Sequence, residues 1–508
     1  MLTLKEMRPE NANRKQRVDA FLQLLYDNAC SYEDSKNRNR ERVTGTCDWF
    51  TNHDLFKKWN MPTDSQLKPS IHLFVTADPG CGKSVLSRYL IDHILSQHAR
   101  MVCYFFFKDD FEDQKNSLQA LCTILHQLLS RNRHILSDAM LEKHGALGKR
   151  FVESFANLWS IFMEAASYQE TVCVIDALDE CRELDRNQLI EAVTTVDQGS
   201  KELKFLVTSR PYEHIRRQFH RRLGSRMSSI HLQGDCGPTA DAIVQEIQLV
   251  VNSRIEEAAD LFCLESDERK LLRKQLESVP NRTYLWVTLV FDGLIDSILG
   301  IDQSDILRLT QTLPQSVNDA YEKILNQNPK LEKLRRRALY IILGAKRPMS
   351  LTEMSVALAF KDLDNQSSCT FSADKIIPMN RMRAHIRDLC GLFITIVDDK
   401  VYLLHQTARE FLIRNTAEDV TGARTVCSFS QSSQREWRHS INLEDSNSVL
   451  TKICVSYLHL DIAKEDSALL EYSAIYWPDH YHQSRGNCQE LVAKMARDIC
   501  QSSKLRTY

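Results

Sequence analysis

Eight residues constrain this chain more than any others: Ala77-Asp78-Pro79-Gly80-Cys81-Gly82-Lys83-Ser84, set between the apolar run IHLFVT and the helical run VLSRYLIDHIL. A glycine-rich turn from strand to helix that closes on Lys and Ser has the spacing of a Walker A loop. Small residues are needed there because backbone N–H groups must curl around phosphate oxygens while the following helix aims its positive N-terminus at them. Asp78, Pro79, Gly80, Cys81, Gly82, Lys83, Ser84 and Val85 are therefore the candidate nucleotide-binding residues, with Ala77 standing where a leading glycine is usual. Lys83 is expected to meet the β- and γ-phosphates as a point charge, and the Ser84 hydroxyl to complete the coordination of magnesium. An ordinary glycine-rich turn at a helix start is the alternative, and the strand before and helix after argue against it.

Ninety residues on, the apolar run Thr171-Val172-Cys173-Val174-Ile175 ends in Asp176-Ala177-Leu178-Asp179-Glu180. Acids at a strand tip behind a P-loop are placed as a Walker B, with Asp176 serving magnesium and Asp179 or Glu180 orienting an attacking water as the candidate catalytic residues. A further strand, KFLVT, ends in Ser209-Arg210-Pro211. Arg210 is a candidate γ-phosphate sensor through a charge-assisted contact. A capping or ion-pairing arginine is its alternative reading.

The runs IHLFVTA, VCYFFF, TVCVID and KFLVTSR are separated by amphipathic helical stretches, and such alternation predicts an α/β fold with a parallel sheet flanked by helices. The β pattern stops near Arg226, and helical periodicity follows through Leu294. After Pro314 come more helices, then FITIVDD and KVYLL around Asp398-Asp399-Lys400, the pattern of a winged helix. The expected organisation is a helical lead-in over 1–60, the P-loop domain over 61–230, a helical domain over 231–330, a winged helix over 331–416, and a loop with C-terminal helices over 417–508. The lead-in carries one apolar stripe, Val18, Phe21, Leu22, Leu24 and Leu25. The loop is centred on SFSQSSQ, and Tyr472, Tyr476 and Trp477 are expected to pack against the core.

Lys and Arg number 65 against 67 Asp and Glu, a net charge of -2, so no global attraction to nucleic acid or anionic lipid is encoded. The arginines 381, 383 and 387, and those at 216, 217, 221, 222 and 226, read as solvated faces before they read as a DNA surface. No signal-like start and no run of about 18 apolar residues is present, which predicts a cytoplasmic protein without a membrane span. The 15 cysteines lack the spacing of a disulfide framework and are expected to be reduced and mostly buried. His480, His482 and Cys488 lack paired ligand spacing, so zinc is not expected there.

The blocks GCGKS, VCVIDALDEC and FLVTSRP together resemble the NACHT class of STAND NTPases, in particular the fungal set with a nephrocystin-like N-terminal P-loop domain. RERVTGTCDWF, TYLWVTLVFDGL, LPQSVNDAYEKIL, RPMSLTEMSVALA and YLLHQTAREFL resemble recurrent blocks of the same family, over residues 40–480. The resemblance implies a P-loop domain, a helical domain and a winged helix similar to that of GPI inositol-deacylases. It also implies a molecular switch that binds ATP or ADP with magnesium, with GTP as the alternative, and hydrolyses slowly. In the closed form nucleotide would lie between P-loop domain and winged helix, and exchange would open the core for homo-oligomerisation. Sensor or effector proteins, and a role in NLR-like immunity or heterokaryon incompatibility, are implied in the same way. About 40 residues precede the family-like part and no repeats follow it, as expected of a truncated form or of one that senses through a partner.

His405, after the run VYLL, resembles the histidine of the Met-His-Asp signature of related switch NTPases, where the imidazole reaches the β-phosphate of a bound diphosphate. Gln406 replaces the usual acid, and a buried structural histidine is the alternative. Two further functions compete with the switch: a scaffold that holds nucleotide without hydrolysing it, and a nucleic-acid-binding winged helix.

Overall fold

A computed structural model describes residues 7–61, 70–97, 100–109, 112–196, 203–232, 240–279, 282–298, 313–361, 370–413, 436–460 and 468–484, with Lys494 and Arg497 besides. It divides into two compact units, Met1–Thr288 and Leu289–Tyr508.

The first unit is built on five parallel strands: β1 (His72–Ala77), β2 (Met101–Phe106), β3 (Thr171–Asp176), β4 (Leu203–Ser209) and β5 (Ser228–Leu232), in the order β2-β3-β4-β1-β5. Four of them are the four runs read from the sequence. β1, β3 and β4 are buried along their whole length, as strands covered on both faces must be, and so they read as unbroken apolar runs. The fifth strand corrects the expectation that β pairing ends near Arg226. SSIHL pairs parallel with β1 from Leu73↔Ser228 to Ala77↔Leu232. It lies at the sheet edge, only Ile230 and Leu232 are buried, and two apolar positions in five residues give too weak an alternation to read.

At the other edge β2 is capped by a side chain. Gln127, buried in the helix Ser117–Arg131, accepts from Tyr104 N at 3.1 Å and donates to Tyr104 O at 2.8 Å, replacing the missing neighbour strand. The helix Met7–Asp27 puts Val18, Phe21, Leu22 and Leu25 into the same core as β1–β4. The stripe expected of a lead-in is thus part of the core of the P-loop unit. The helices Ala240–Phe262 and Ser266–Ser278 also belong to this unit, whose boundary falls inside the helix Tyr284–Ile298.

In the second unit the helices Glu332–Gly344, Leu351–Leu358 and Met379–Cys390 precede an antiparallel hairpin, Ile394–Val397 with Lys400–Leu403. Asp398 and Asp399 both take positive φ, 47° and 58°, the conformation of a two-residue turn that matches strand twist. Three helices and a hairpin form the winged helix that the pattern predicted. The helix Leu443–His459 packs tightly on Glu332–Gly344: a Cβ at Gly344 would lie 2.9 Å from Leu450 and 3.0 Å from Ser446. SFSQSSQ lies outside the described residues.

Candidate nucleotide site

Because all five strands are parallel, their C-terminal ends share one edge, and that is where sites form in sheets of this class. The P-loop leaves β1 there. Gly80 and Gly82 take φ of +78° and +79°, a region open to glycine at little cost. Glycine is also required by space: a Cβ at Gly80 would sit 2.8 Å from Leu285, and one at Gly82 would sit 3.3 Å from the Tyr284 ring. The start of the helix Tyr284–Ile298 therefore lies directly on the loop, and Leu285 N donates to Gly80 O at 3.3 Å.

Lys83 donates to the carbonyls of Ala77 (2.7 Å) and Asp78 (3.1 Å). Burial pulls its ammonium below the usual lysine range, opposed chiefly by Asp179 and more weakly by Cys81 and Asp176. Asp176, fully buried at the tip of β3, collects three hydroxyls: Ser84 at 2.6 Å, Ser87 at 2.6 Å and Thr208 at 2.7 Å. Thr208 in turn accepts from Ala177 N at 2.9 Å. Ala177 has φ +54°, strained for a residue with a Cβ, and this turn folds the following acids back across the strand ends. Ser84 and Asp176, expected together at a magnesium ion, are thus brought together. A hydroxyl and a carboxylate are hard oxygen donors that fit magnesium, which takes few protein ligands and leaves the rest to phosphate and water.

Asp179 accepts from Arg210 N (2.9 Å) and pairs with Arg210 Nε (3.3 Å), both side chains being buried. In this arrangement the Arg210 guanidinium is engaged with Asp179, the ion-pairing alternative weighed for it. Glu180 accepts from Asp109 N at 3.2 Å. His405 belongs to the second unit, where it caps the helix Gln406–Leu412: Nδ1 accepts from Thr407 N at 3.2 Å and lies 2.9 Å from Thr407 Oγ1. The basic clusters are partly neutralised, Arg216 and Arg217 by Glu213 and Arg383 by Asp399. His480 is bonded to Tyr472 (2.9 Å) and Asn447 (2.8 Å), while Cys488 lies outside the described residues.

Beside the P-loop lies a cavity of about 100 Å³. Cys81, Gly82 and Val85 form one wall, the segment 40–50 a second, and the helices Ala240–Phe262 and Tyr284–Ile298 a third. Segment 40–50 turns sharply at Gly45 (φ +88°) and Cys47 (φ +66°), which fixes it against that opening. Sequence reading missed four polar residues here. Ser87 is one helical turn beyond Ser84, and Thr208 ends the strand next to the acidic one, so both had a local signal. Glu246 interrupts the apolar stripe Ile243, Ile247, Val250 with a charge, and Tyr284 stands in a block quoted only for family likeness.

Residues 45–210 match the family model described as nephrocystin 3, N-terminal, and residues 322–421 match that of the GPI inositol-deacylase winged helix domain. The chain carries a nephrocystin-3-type P-loop domain followed by a winged helix. The P-loop and winged-helix parts of the likeness to NACHT-type STAND proteins are thus present, in the expected order. The vegetative incompatibility protein HET-E-1 of Podospora anserina is 26% identical over 456 residues, 85% of this chain, which spans 32% of that relative's length. Looser similarity joins the chain to the Walker-type ATPase PABY2304 of Pyrococcus abyssi, with 12% identity, TM-score 0.32, and 66% of this chain and 89% of that one covered. The Aeropyrum pernix ORC2 protein gives 10% identity, TM-score 0.33, and 74% and 94% coverage. No helix among the described residues is long and apolar enough to cross a membrane.

Proposed function

We propose that the chain binds a nucleoside triphosphate with magnesium at the C-terminal ends of β1 and β3, hydrolyses it slowly, and acts as a switch between triphosphate and diphosphate states that governs self-association. The observation that carries this reading is the convergence of Lys83, Ser84, Asp176 and Thr208 beneath a loop whose two glycines have positive φ. Lys83 and the loop N–H groups would bind phosphate oxygens, and Ser84 and Asp176 would hold magnesium, which supplies charge neutralisation at the β- and γ-phosphates. HET-E-1 is a vegetative incompatibility protein, and the proposal extends to a signalling role of that kind, with a sensor or effector as partner.

One observation favours a slower, scaffold-like turnover. Both candidate water-orienting acids are engaged, Asp179 by Arg210 and Glu180 by the Asp109 amide. Two variants separate the readings. Lys83→Ala is expected to weaken nucleotide binding by roughly 10- to 100-fold, the loss of one charged hydrogen-bonding partner, as followed by equilibrium titration. Unchanged affinity would remove the P-loop assignment. Glu180→Gln is expected to keep affinity and slow single-turnover hydrolysis; if wild type itself hydrolyses nothing with magnesium present, the scaffold reading stands.

A further inference from the structure

Among the buried polar groups of the first unit, Glu246 stands out. It is 6% exposed, it lines the cavity beside the P-loop, and its Oε1 atom has no hydrogen-bond partner. Its other oxygen, Oε2, accepts from the Tyr284 hydroxyl at 2.8 Å. A carboxylate in a helix otherwise apolar on that face costs stability unless something satisfies it. Burial weakens the acid, opposed first by the Tyr284 hydroxyl and then by the Trp49 indole and the Cys47 amide, neither of which comes within hydrogen-bonding geometry of Oε1. Of the three arginines that line the cavity, Arg40 is engaged, Arg42 pairs with Asp48 at 2.6 Å and Arg254 with Glu257 at 2.6 Å. The unmet acceptor at this wall is therefore Oε1.

A nucleotide whose phosphates lie on the P-loop would bring its base toward Cys81, Gly82 and Val85, which are the loop's own contribution to the cavity wall. A lone acceptor reads a donor. Adenine offers its exocyclic 6-amino group as a single donor, whereas guanine offers two adjacent donors, N1–H and the 2-amino group, that call for both oxygens of a carboxylate. Tyr284 already occupies one oxygen. We propose that Glu246 is the base-specificity residue of this site, its free Oε1 accepting a hydrogen bond from the 6-amino group of adenine while Tyr284 fixes the carboxylate. The proposal rests on the P-loop reading and names the nucleotide as an adenine nucleotide.

The test compares ATP, GTP and the triphosphate of unsubstituted purine riboside, which lacks only the 6-amino group, by equilibrium titration of the full chain with magnesium. Wild type is expected to prefer ATP over the unsubstituted analogue by at least about tenfold, the worth of a charge-assisted hydrogen bond. In Glu246→Gln, where Tyr284 retains the carbonyl oxygen and an amide N–H₂ replaces Oε1, that preference is expected to vanish. Equal binding of ATP and the analogue by wild type overturns the proposal without any variant, and so does a preference that Glu246→Gln leaves intact. Binding that is blind to the base but lost in Lys83→Ala removes this proposal alone. No binding of any of the three removes the P-loop reading along with it.

Discussion

The two units spend their buried polar groups differently. In the P-loop unit, Lys83, Asp176, Thr208 and Glu246 crowd one edge of the sheet, Lys83 is held with its charge disfavoured by burial, and Glu246 Oε1 is left unmet. In the second unit Arg335 and His480 are consumed internally. Arg335, 2% exposed, donates to the carbonyls of Leu325, Asn328 and Leu389, which closes the end of the helix Val317–Leu325 and the helix Met379–Cys390 onto its own helix. His480 sits between Tyr472 and Asn447, and Tyr472 accepts from Lys346 N. Polar groups that converge with valence to spare mark a place for a ligand, and polar groups that satisfy one another fix a shape.

That contrast is open to attack in order of expected effect. Arg335→Met removes the guanidinium donor from the buried carbonyls of Leu325 and Leu389 and should cost about 3 kcal/mol of stability, measured by denaturant unfolding, with nucleotide affinity unchanged. A loss of affinity without loss of stability would erase the distinction between the units. Lys83→Ala is the mirror case: its denaturation midpoint should stay put or rise, because it removes a charge whose burial is unfavourable.

Acid gives the next effect. Burial holds the pKa of His480 at about 3 in the fold, below the ordinary value of 6.5. The unfolded chain therefore takes up the proton first. The stability this histidine contributes is intact above pH 6.5 and declines toward pH 3 by about 1.4 kcal/mol per unit. Between pH 6.5 and 5 the midpoint should fall in wild type and fall less in His480→Gln. Parallel pH profiles of the two proteins would show that the imidazole is not buried neutral.

His405 tests the contrast most finely, because both kinds of task are assigned to it. As an N-cap it is worth about 1 kcal/mol, which His405→Ala should lose and His405→Asn, a good cap, should keep. As a diphosphate latch, the role proposed from the family likeness, either substitution should speed diphosphate release and raise self-association. Off-rates that match wild type in both variants would leave the cap as its only task.

Much of the fold was legible in the sequence. The three central strands, β1, β3 and β4, carry contiguous apolar runs because burial on both faces demands it, and the hairpin is announced by Asp398-Asp399 between two alternating runs. β5 was missed because an edge strand of five residues leaves so little apolar pattern. The core role of Phe21 and Leu25 was half legible: their stripe was plain, its partner was not, since one helix face does not say which surface covers it.

The phosphate end of the site could be read directly because a P-loop binds through its own backbone, so its geometry is written in eight consecutive residues. Its chemistry continues into side chains whose meeting no local pattern specifies. Thr208 reaches Asp176 only because the sheet places β4 beside β3, Ser87 only because the helix Lys83–Tyr89 lies against β3, and Arg210 meets Asp179 only because Ala177 turns the chain back. The cavity is more distant still: Trp49, Glu246 and Tyr284 come from three segments that meet through packing of the helices against the P-loop. A local motif fixes what a backbone loop can hold, whereas the choice of base depends on side chains far apart in sequence, and only the folded core sets their distances.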